Sequence, residues 1–232
     1  METWHKGRVI RIADETAETK RFWIELPGLK KFDFIPGQYV TVDLPIHEHA
    51  HKRNRSYSIA SWPDDTNIFE LVIVINKNGD GTAYFFEEIK VGSELMFQGP
   101  HGSFILTEPL EENIFMICTG TGITPFRSML HHINNNGIPH QNIYLIAGSR
   151  SKAMLLFHDE MLALQKELSG FHYIPTLSQE EWEGKTGYVH TVYESLLADR
   201  KPASFFLSGW RDMINDAKKI IMDMGYDKII MQ

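Results

Sequence analysis

The hydrophobic pattern changes character near the middle of the chain. In the first hundred residues, short β-branched and aromatic runs alternate with Pro-Gly and Asn-Gly turns, which is typical of antiparallel strands. Their spacing predicts a small antiparallel β-barrel. The predicted strands cover residues 9–12, 22–26, 39–42 and 69–75 and a stretch between Gly92 and Gly99, with one short helix over residues 82–89.

After residue 106 strands and helices alternate. The run 114–117, Ile-Phe-Met-Ile, is apolar at every position, as in a parallel strand buried on both faces. Apolar residues from Phe126 to Ile133 then share one face of a helix that ends near Gly137. The pattern predicts five strands and four helices, a doubly wound parallel sheet. The later strands are at 143–147, 173–177, 205–207 and 228–231, and the later helices at 157–168, 189–197 and 213–224.

A change of pattern between residues 107 and 112 marks a domain boundary. Pro109 and three acidic residues lie there, as in a surface linker. We therefore predict an antiparallel β-barrel domain over residues 1–108 and an α/β nucleotide-binding domain over residues 109–232.

Composition excludes several classes of protein. Hydrophobic residues make up 43% of the 232 residues, so a packed core is expected, and the net charge of -7 argues against nucleic-acid binding. The single cysteine, Cys118, excludes a disulfide framework, a cysteine-based zinc site and a cysteine-ligated iron–sulfur cluster. With no signal-peptide pattern and no apolar run near eighteen residues, we expect a cytoplasmic protein without a membrane partner.

The run Arg55-Ser56-Tyr57-Ser58 carries the first candidate chemistry. On a strand, Arg55 and Tyr57 share one face and Ser58 lies on the other. An arginine suits a pyrophosphate and a tyrosine ring can stack on a planar heterocycle. The alternative is an ordinary exposed strand with an arginine stem lying over a tyrosine.

A glycine-containing turn, Gly79-Asp80-Gly81-Thr82, leads into the predicted short helix. The free N–H groups of a helix start, together with Thr82, can hold a phosphate oxygen. A hairpin turn with a helix cap explains the same residues.

The second strong motif runs from Gly120 to Phe126, between the buried strand and the amphipathic helix. Gly120 and Gly122 allow a diphosphate to approach the backbone, Thr124 is predicted to cap the helix, and Pro125 suits its first turn. A plain strand-to-helix turn is the alternative. Together with the Arg55 motif, the motif from Gly120 to Phe126 indicates that one chain binds two dinucleotides, and hence that electrons pass between them.

Three predicted strands of the second domain end in small residues. Open parallel sheets bind ligands at the carboxyl ends of their strands, so these residues are candidate nucleotide contacts. They are Gly148-Ser149-Arg150, Ser178-Gln179 and Ser208-Gly209. The alternate histidines of His47-Glu48-His49-Ala50-His51 look metal-like, but we interpret them as solvated loop residues and expect no metal site.

In this order and spacing, the motifs resemble the ferredoxin–NADP reductase family over nearly the whole chain. The residues that carry the resemblance are Arg55 to Ser58, Gly99-Pro100-His101-Gly102-Ser103-Phe104, Gly120 to Phe126, Gly148 to Arg150, and Ser208-Gly209 followed by Met213. The resemblance implies a six-stranded antiparallel FAD-binding barrel followed by a pyridine-nucleotide domain.

The resemblance also implies roles for residues. Tyr57 would stack on the isoalloxazine, Ser58 would hydrogen-bond near its reactive nitrogen, and Arg55 would bind the pyrophosphate from one side. Gly81 and Thr82 would bind it from the other side. Ile73 and Val74 would also contact the flavin. The implied contacts for NADH or NADPH are Gly120, Thr121, Gly122, Thr124, Ser149, Arg150, Ser178, Ser208, Gly209 and Met213. The implied catalytic residues are Tyr57, Ser58 and Ser208.

The chain departs from the family pattern at three places. Ser208 stands where many members have cysteine, and Trp210 replaces a proline. Many members have an acidic residue and then an aromatic near the C-terminus, and the residues up to Gln232 have neither, which leaves the cover over the flavin open.

The third departure concerns the choice of nucleotide. Gln179 replaces an arginine common in NADPH users, which leaves Arg150 as the main cation for a 2′-phosphate. Three nearby acids, Glu180, Glu181 and Glu183, would repel a 2′-phosphate. Lys185 is a poor substitute for the missing arginine. We therefore expect a preference for NADH of about tenfold, unless the acidic residues lie in a loop far from the ribose.

The implied activity is that of an FAD-dependent NAD(P)H oxidoreductase. Electrons would pass from NAD(P)H through FAD to a separate ferredoxin, flavodoxin or oxygenase component, or to a small oxidant. Two alternatives remain open: a flavoprotein docking subunit with little reductase activity of its own, and a free-flavin reductase.

Overall fold

The computed structural model describes residues 3–76, 78–197 and 201–232, which form two compact units. The first unit extends to Ile105 and includes Arg127–His132, and the second consists of Leu106–Phe126 and Ile133–Gln232. Because residues 127–132 lie inside a helix that otherwise belongs to the second unit, the division at 108/109 stays a proposal. Within the described residues, no helix is long and apolar enough to cross a membrane.

The first unit is a six-stranded antiparallel sheet in the order β4-β3-β6-β1-β2-β5. Its strands are β1 (His5–Thr16), β2 (Thr19–Glu25), β3 (Tyr39–Asp43), β4 (Asn54–Ser58), β5 (Ile68–Val74) and β6 (Glu94–His101). Its helices are α1 (Ala50–Arg53) and α2 (Asp80–Glu87). The N–H of Ala60 donates to the carbonyl of Glu70 at 2.9 Å, which links the chain after β4 to β5 at the opposite end of the sheet order. The predicted six-stranded antiparallel architecture of the first domain is confirmed.

A buried ion-pair network stabilises this unit. Glu70 and Arg127 are 2% and 4% exposed, and Nη1 of Arg127 donates to Glu70 Oε2 at 3.0 Å and to the Ala60 carbonyl at 2.8 Å. Arg21 also donates to the Glu70 carboxylate and to Glu15. The buried Glu70 carboxylate is thus paired with two arginines, which offsets the desolvation of its charge.

The second unit is a parallel six-stranded sheet in the order β10-β9-β8-β7-β11-β12. Its strands are β7 (Asn113–Thr119), β8 (Ile143–Ser149), β9 (Phe171–Leu177), β10 (Lys185–Thr186), β11 (Ala203–Ser208) and β12 (Ile229–Met231). The helices are α3 (Ile123–Asn136), α4 (His158–Glu167), α5 (Val189–Leu196) and α6 (Arg211–Asp223). The five predicted strands and four helices are present, and β10 is a two-residue addition.

Two local predictions were wrong. Helix α3 begins at Ile123 after a 3₁₀ turn over Gly120–Gly122, so Thr124 lies inside its first turn and does not cap it. The Thr124 hydroxyl donates instead to the Thr121 carbonyl at 2.8 Å. In addition, the histidine-rich segment is not wholly loop, because α1 begins at Ala50 and contains His51.

Candidate functional site: two nucleotide-binding surfaces

Strand β4 presents the first surface. Its register with β3 pairs Val42 with Arg55 and Val40 with Tyr57, so Tyr57 rests against buried core residues. The ring of Tyr57 meets Phe85 of α2 edge to face, with centroids 5.4 Å apart at 79°. Burial raises the pKa of Tyr57 to about 12, although nearby Arg55 opposes the shift, so the phenol is neutral at physiological pH. A neutral, partly buried ring suits stacking on a flat heterocycle.

Arg55 lies against the start of α2. Its Nη1 donates to the carbonyls of Lys52 and Asn54, both at 2.9 Å, which orients the guanidinium. Among the described residues, its Nε and Nη2 have no acceptor. A β-carbon on Gly81 would lie 3.3 Å from Arg55 Cγ and 3.4 Å from Nε, so a side chain there would press on the arginine. The absence of a side chain at Gly81 therefore leaves the arginine undisturbed.

Thr82 has a different role from the one expected. Its hydroxyl accepts from the N–H of Asn76 at 2.9 Å and lies 3.0 Å and 3.1 Å from the Gly79 and Asn76 carbonyls, so it closes the turn before α2. Its own N–H donates to the Gly79 carbonyl. The N–H groups of Asp80 and Gly81, in contrast, find no acceptor among the described residues, as usual in a first helical turn. Arg55 thus lies beside the start of α2, and together they form the candidate site for a pyrophosphate.

The other predicted flavin contacts lie at strand ends. Ser58 is the last residue of β4, opposite Tyr39. Ile73 is 1% exposed and Val74 37% exposed, on β5 at the end of the sheet order. Because the Ile73 side chain is in the core, it can reach a ligand only through its backbone, whereas the Val74 side chain is accessible.

The second surface lies at the carboxyl ends of β7 and β11. Gly120 has φ +53°, a left-handed conformation that favours glycine. A β-carbon on Gly122 would lie 2.3 Å from the Ser208 carbonyl oxygen, so glycine alone permits this approach. The Thr119 hydroxyl accepts from the N–H of Trp210 at 3.1 Å. The two strand ends are thereby joined under the glycine turn, where the start of α3 can receive a phosphate.

The ends of β8 and β9 extend this surface. The Ser178 N–H donates to the Ser149 carbonyl at 2.9 Å, and the Gln179 N–H donates to the Arg150 carbonyl at 3.0 Å. Arg150 is exposed. A small, open cleft lies beside the glycine turn, lined in part by Gly120, Gly148 and Ser149. The structure therefore brings the predicted nucleotide residues at the ends of four strands, β7, β8, β9 and β11, to one edge of the sheet.

Ser208 and Met213 flank this edge. Ser208 is 4% exposed at the end of β11, opposite Cys118 in the register. Gly209 follows with φ +134°, and a β-carbon there would lie 2.5 Å from the Thr119 hydroxyl. Met213, in the first turn of α6, is half-buried and packs on the core of the unit. Burial raises the pKa of the Cys118 thiol well above its usual range, so Cys118 stays protonated and inert.

Sequence reasoning missed two features of these surfaces. Trp210 is 69% exposed beside the glycine turn, with its indole nitrogen 3.9 Å from the β-carbon position of Gly120. Lys152 contacts Glu180 and Glu183 across two loops. The sequence did hold a signal for each feature. Trp210 stands where the family has a proline at the start of a helix, and Lys152 follows Arg150 by two residues. Among the described residues, no three His, Cys, Asp or Glu could hold a metal ion.

Two family models match the chain. The oxidoreductase FAD-binding domain matches residues 6–105, and the oxidoreductase NAD-binding domain matches residues 116–219. The chain is 33% identical over 201 residues to ferredoxin–NADP reductase B of Sorangium cellulosum, covering 86% of this chain and 81% of that protein. The chain belongs to the ferredoxin–NADP reductase family. Its cofactors are accordingly FAD and a nicotinamide dinucleotide.

Other relatives show how far the likeness extends. The chain is 30% identical over 223 residues to the phenol hydroxylase P5 protein of Acinetobacter pittii, covering 94% of this chain. It spans 61% of that protein, and 54% and 47% of two further oxygenase components. A crystal structure of a Neisseria gonorrhoeae ferredoxin NADP+ reductase with bound FAD and NADP superposes with a TM-score of 0.81 at 22% identity, covering 100% of this chain and 99% of that one. That superposition supports the fold.

The residues of this chain fit both groups. Arg55 and the first N–H groups of α2 have the chemistry that a flavin pyrophosphate needs, and the half-buried Tyr57 suits its ring system. In the second unit, glycine at position 122 lets the end of β11 pack directly against the turn before α3. The assignment of individual contacts remains a prediction.

Proposed function

We propose that the protein passes electrons from NADH or NADPH through FAD to a separate acceptor. The observation that carries this proposal is the presence, in one chain, of an arginine-and-helix cradle for a flavin pyrophosphate and a glycine turn for a second dinucleotide. When bound, FAD accepts a hydride and releases its electrons one at a time, which joins two-electron donors to one-electron acceptors. The protein supplies binding, orientation and electrostatics.

Each predicted site residue has a task that its position supports. Tyr57 would stack on the flavin ring, and Arg55 would neutralise the pyrophosphate charge. Ser58, at the end of β4, would donate or accept a hydrogen bond at the ring edge. Ser208 would orient the nicotinamide at the end of β11. Hydride transfer needs no general base, so none of these residues is assigned a proton transfer.

We place the electron acceptor outside these 232 residues. The single cysteine is buried, so the residues lack the thiolates that a cysteine-ligated iron–sulfur cluster requires. An oxygenase component is supported by relatives named as electron-transfer components, among them that of an anthranilate 1,2-dioxygenase from Acinetobacter baylyi. A ferredoxin or flavodoxin is supported by the ferredoxin–NADP reductase relative. The single free thiol favours a cytoplasmic location.

The proposal is tested by anaerobic reduction. The purified protein should be yellow, and NADH or NADPH should bleach it within milliseconds to seconds. A yellow protein that neither nucleotide bleaches would favour the docking-subunit alternative. Bleaching followed by release of the flavin would instead favour a free-flavin reductase. Assays with ferredoxin, flavodoxin and oxygenase components would then identify which of these acceptors the protein reduces.

A further inference from the structure

Two loops run side by side beyond the ends of β8 and β9. Ser149 and Leu177 are register partners at the ends of the two strands. Past that pair, the Ser178 and Gln179 N–H groups donate to the Ser149 and Arg150 carbonyls. The hydrogen bonds keep the acidic segment 180–183 beside the segment 149–152. The acidic residues therefore lie beside Ser149 and Arg150, which are predicted nucleotide contacts.

Lys152 is held between these loops. Its backbone N–H donates to Glu180 Oε2 at 3.0 Å, and its ammonium donates to Glu183 Oε1 at 2.7 Å. The ammonium also lies 5.8 Å from the centre of the Trp182 ring, and the Trp182 indole N–H donates to the Lys185 carbonyl at 2.7 Å. Hydrogen bonding to Glu183 raises the pKa of Lys152 and lowers that of Glu183, in line with a formed pair.

The charge at this edge opposes a phosphate. Open α/β sheets place their nucleotides at the carboxyl ends of the strands, and a ribose 2′-phosphate adds nearly two negative charges. Arg150 is exposed and has no acceptor among the described residues. The second cation nearby, Lys152, is bound by Glu183, while Glu180 and Glu181 add two more carboxylates. A 2′-phosphate would therefore meet one available cation and an excess of acids.

We propose that Glu183, together with Glu180, holds Lys152 away from the nucleotide and so determines a preference for NADH over NADPH. The inference rests on the proposed function, because it assumes that this edge of the sheet receives the adenosine half of the nucleotide. Glu183 is the specificity determinant because it neutralises the lysine ammonium directly. Releasing Lys152 would give a 2′-phosphate two cations, at positions 150 and 152.

The test uses two probes that differ only in the 2′-phosphate, namely 5′-AMP and 2′,5′-ADP. Their dissociation constants are measured by calorimetry on the full flavin-loaded chain at low salt. Glu183→Gln should raise the affinity for 2′,5′-ADP relative to 5′-AMP about two- to fivefold, the range expected for one exposed ion pair. The gain should shrink in high salt, where exposed charges are screened. The ratio of kcat/KM for NADPH and NADH should move in the same direction.

Two further variants separate lysine release from a general loss of negative charge. Glu181→Gln removes a neighbouring carboxylate that pairs with no cation among the described residues, so it should change the ratio less than about twofold. Lys152→Met in the Glu183→Gln background should abolish the gain. A Glu181→Gln effect equal to that of Glu183→Gln, or a gain that survives Lys152→Met, would overturn the proposal.

The outcomes also distinguish this inference from the proposed function. If both probes bind the wild-type chain and Glu183→Gln leaves their ratio unchanged, the specificity role is wrong and the nucleotide site stands. If neither probe binds, and neither NADH nor NADPH bleaches the flavin, the proposed function fails and the inference fails with it.

Discussion

The β-carbon position of Gly122 lies 2.3 Å from the carbonyl oxygen of Ser208. The φ of Gly122 is -60°, which any residue adopts, so the close approach alone explains the need for glycine. This contact places the end of β11 against the turn that precedes α3. The turn predicted to bind the pyrophosphate and the predicted nicotinamide residue are therefore parts of one backbone arrangement.

Gly122→Ala should force these backbones apart. We expect a loss of about 1–3 kcal/mol in the free energy of unfolding, as for an overpacked interior, and at least about tenfold weaker NAD(P)H binding. Urea unfolding and nucleotide titration measure the two effects. Gly28→Ala is the control, because a β-carbon there meets nothing within 4 Å. Equal behaviour of the two variants would contradict the structural interpretation.

Arg55→Ala should weaken flavin binding by about 1.5–3 kcal/mol, the scale of a charge-assisted hydrogen bond. Because the arginine is assigned to the pyrophosphate, the loss should be larger for FAD than for FMN. Titration of the deflavinated protein with each flavin gives both values. Arg8→Ala, which removes an exposed arginine paired with Glu25, should leave both affinities unchanged. An equal loss of affinity for FAD and FMN would contradict the assignment of Arg55 to the pyrophosphate.

Ser208→Cys should keep or raise the rate of flavin reduction by NAD(P)H. Many family members have cysteine at this position, and a thiol is only slightly larger than the hydroxyl it replaces. Stopped-flow absorbance under anaerobic conditions measures the rate. Ser204→Cys, at the opposite end of β11, should leave the rate unchanged. A Ser208→Cys protein that folds and binds FAD but is not reduced would count against the placement beside the nicotinamide.

Glu70→Gln should destabilise the protein by about 3–5 kcal/mol. The substitution removes the carboxylate that faces the buried Arg127 guanidinium at 3.0 Å and also pairs with Arg21. Thermal and urea unfolding test this. Glu94→Gln breaks a pair with Lys6 in which both side chains are about 60% exposed, so it should change stability by less than about 1 kcal/mol. Similar effects of the two variants would show that the buried network contributes little.

Tyr57 should make stability fall in alkaline solution. Its pKa rises from 10.0 in the unfolded chain to about 12 in the fold, so between these values the unfolded state loses its proton first. The contribution of the protonated Tyr57 to the free energy of unfolding is complete below about pH 10 and is lost as the pH approaches 12. Urea unfolding should therefore show wild-type stability declining relative to Tyr57→Phe over that window. Tyr188→Phe, at a residue 67% exposed, should run parallel to wild type throughout.

The sequence by itself determined the elements and the fold class. Strand and helix periodicities depend only on which residues alternate along the chain, so the helix that ends before Gly137 and the apolar strand 114–117 were predictable. Short local motifs also placed Arg55 and Tyr57 on a strand and the glycine turn before a helix. Boundaries were less predictable. The start of α3 at Ile123 depends on the backbone turn at Gly120, and that turn moved Thr124 out of the capping position.

Contacts between residues far apart in the sequence depend on how the whole chain packs, and they could not be predicted from local patterns. Glu70 and Arg127 are 57 residues apart, and nothing in the periodicity around either one indicates a buried partner. The hydroxyl of Thr82 closes a turn because Asn76 lies within hydrogen-bond distance, a relation set by how the loop folds back. Lys152 meets Glu183 because β8 and β9 are adjacent in the sheet. Strand order and loop path come from packing the whole chain, and they decide which charges neutralise one another.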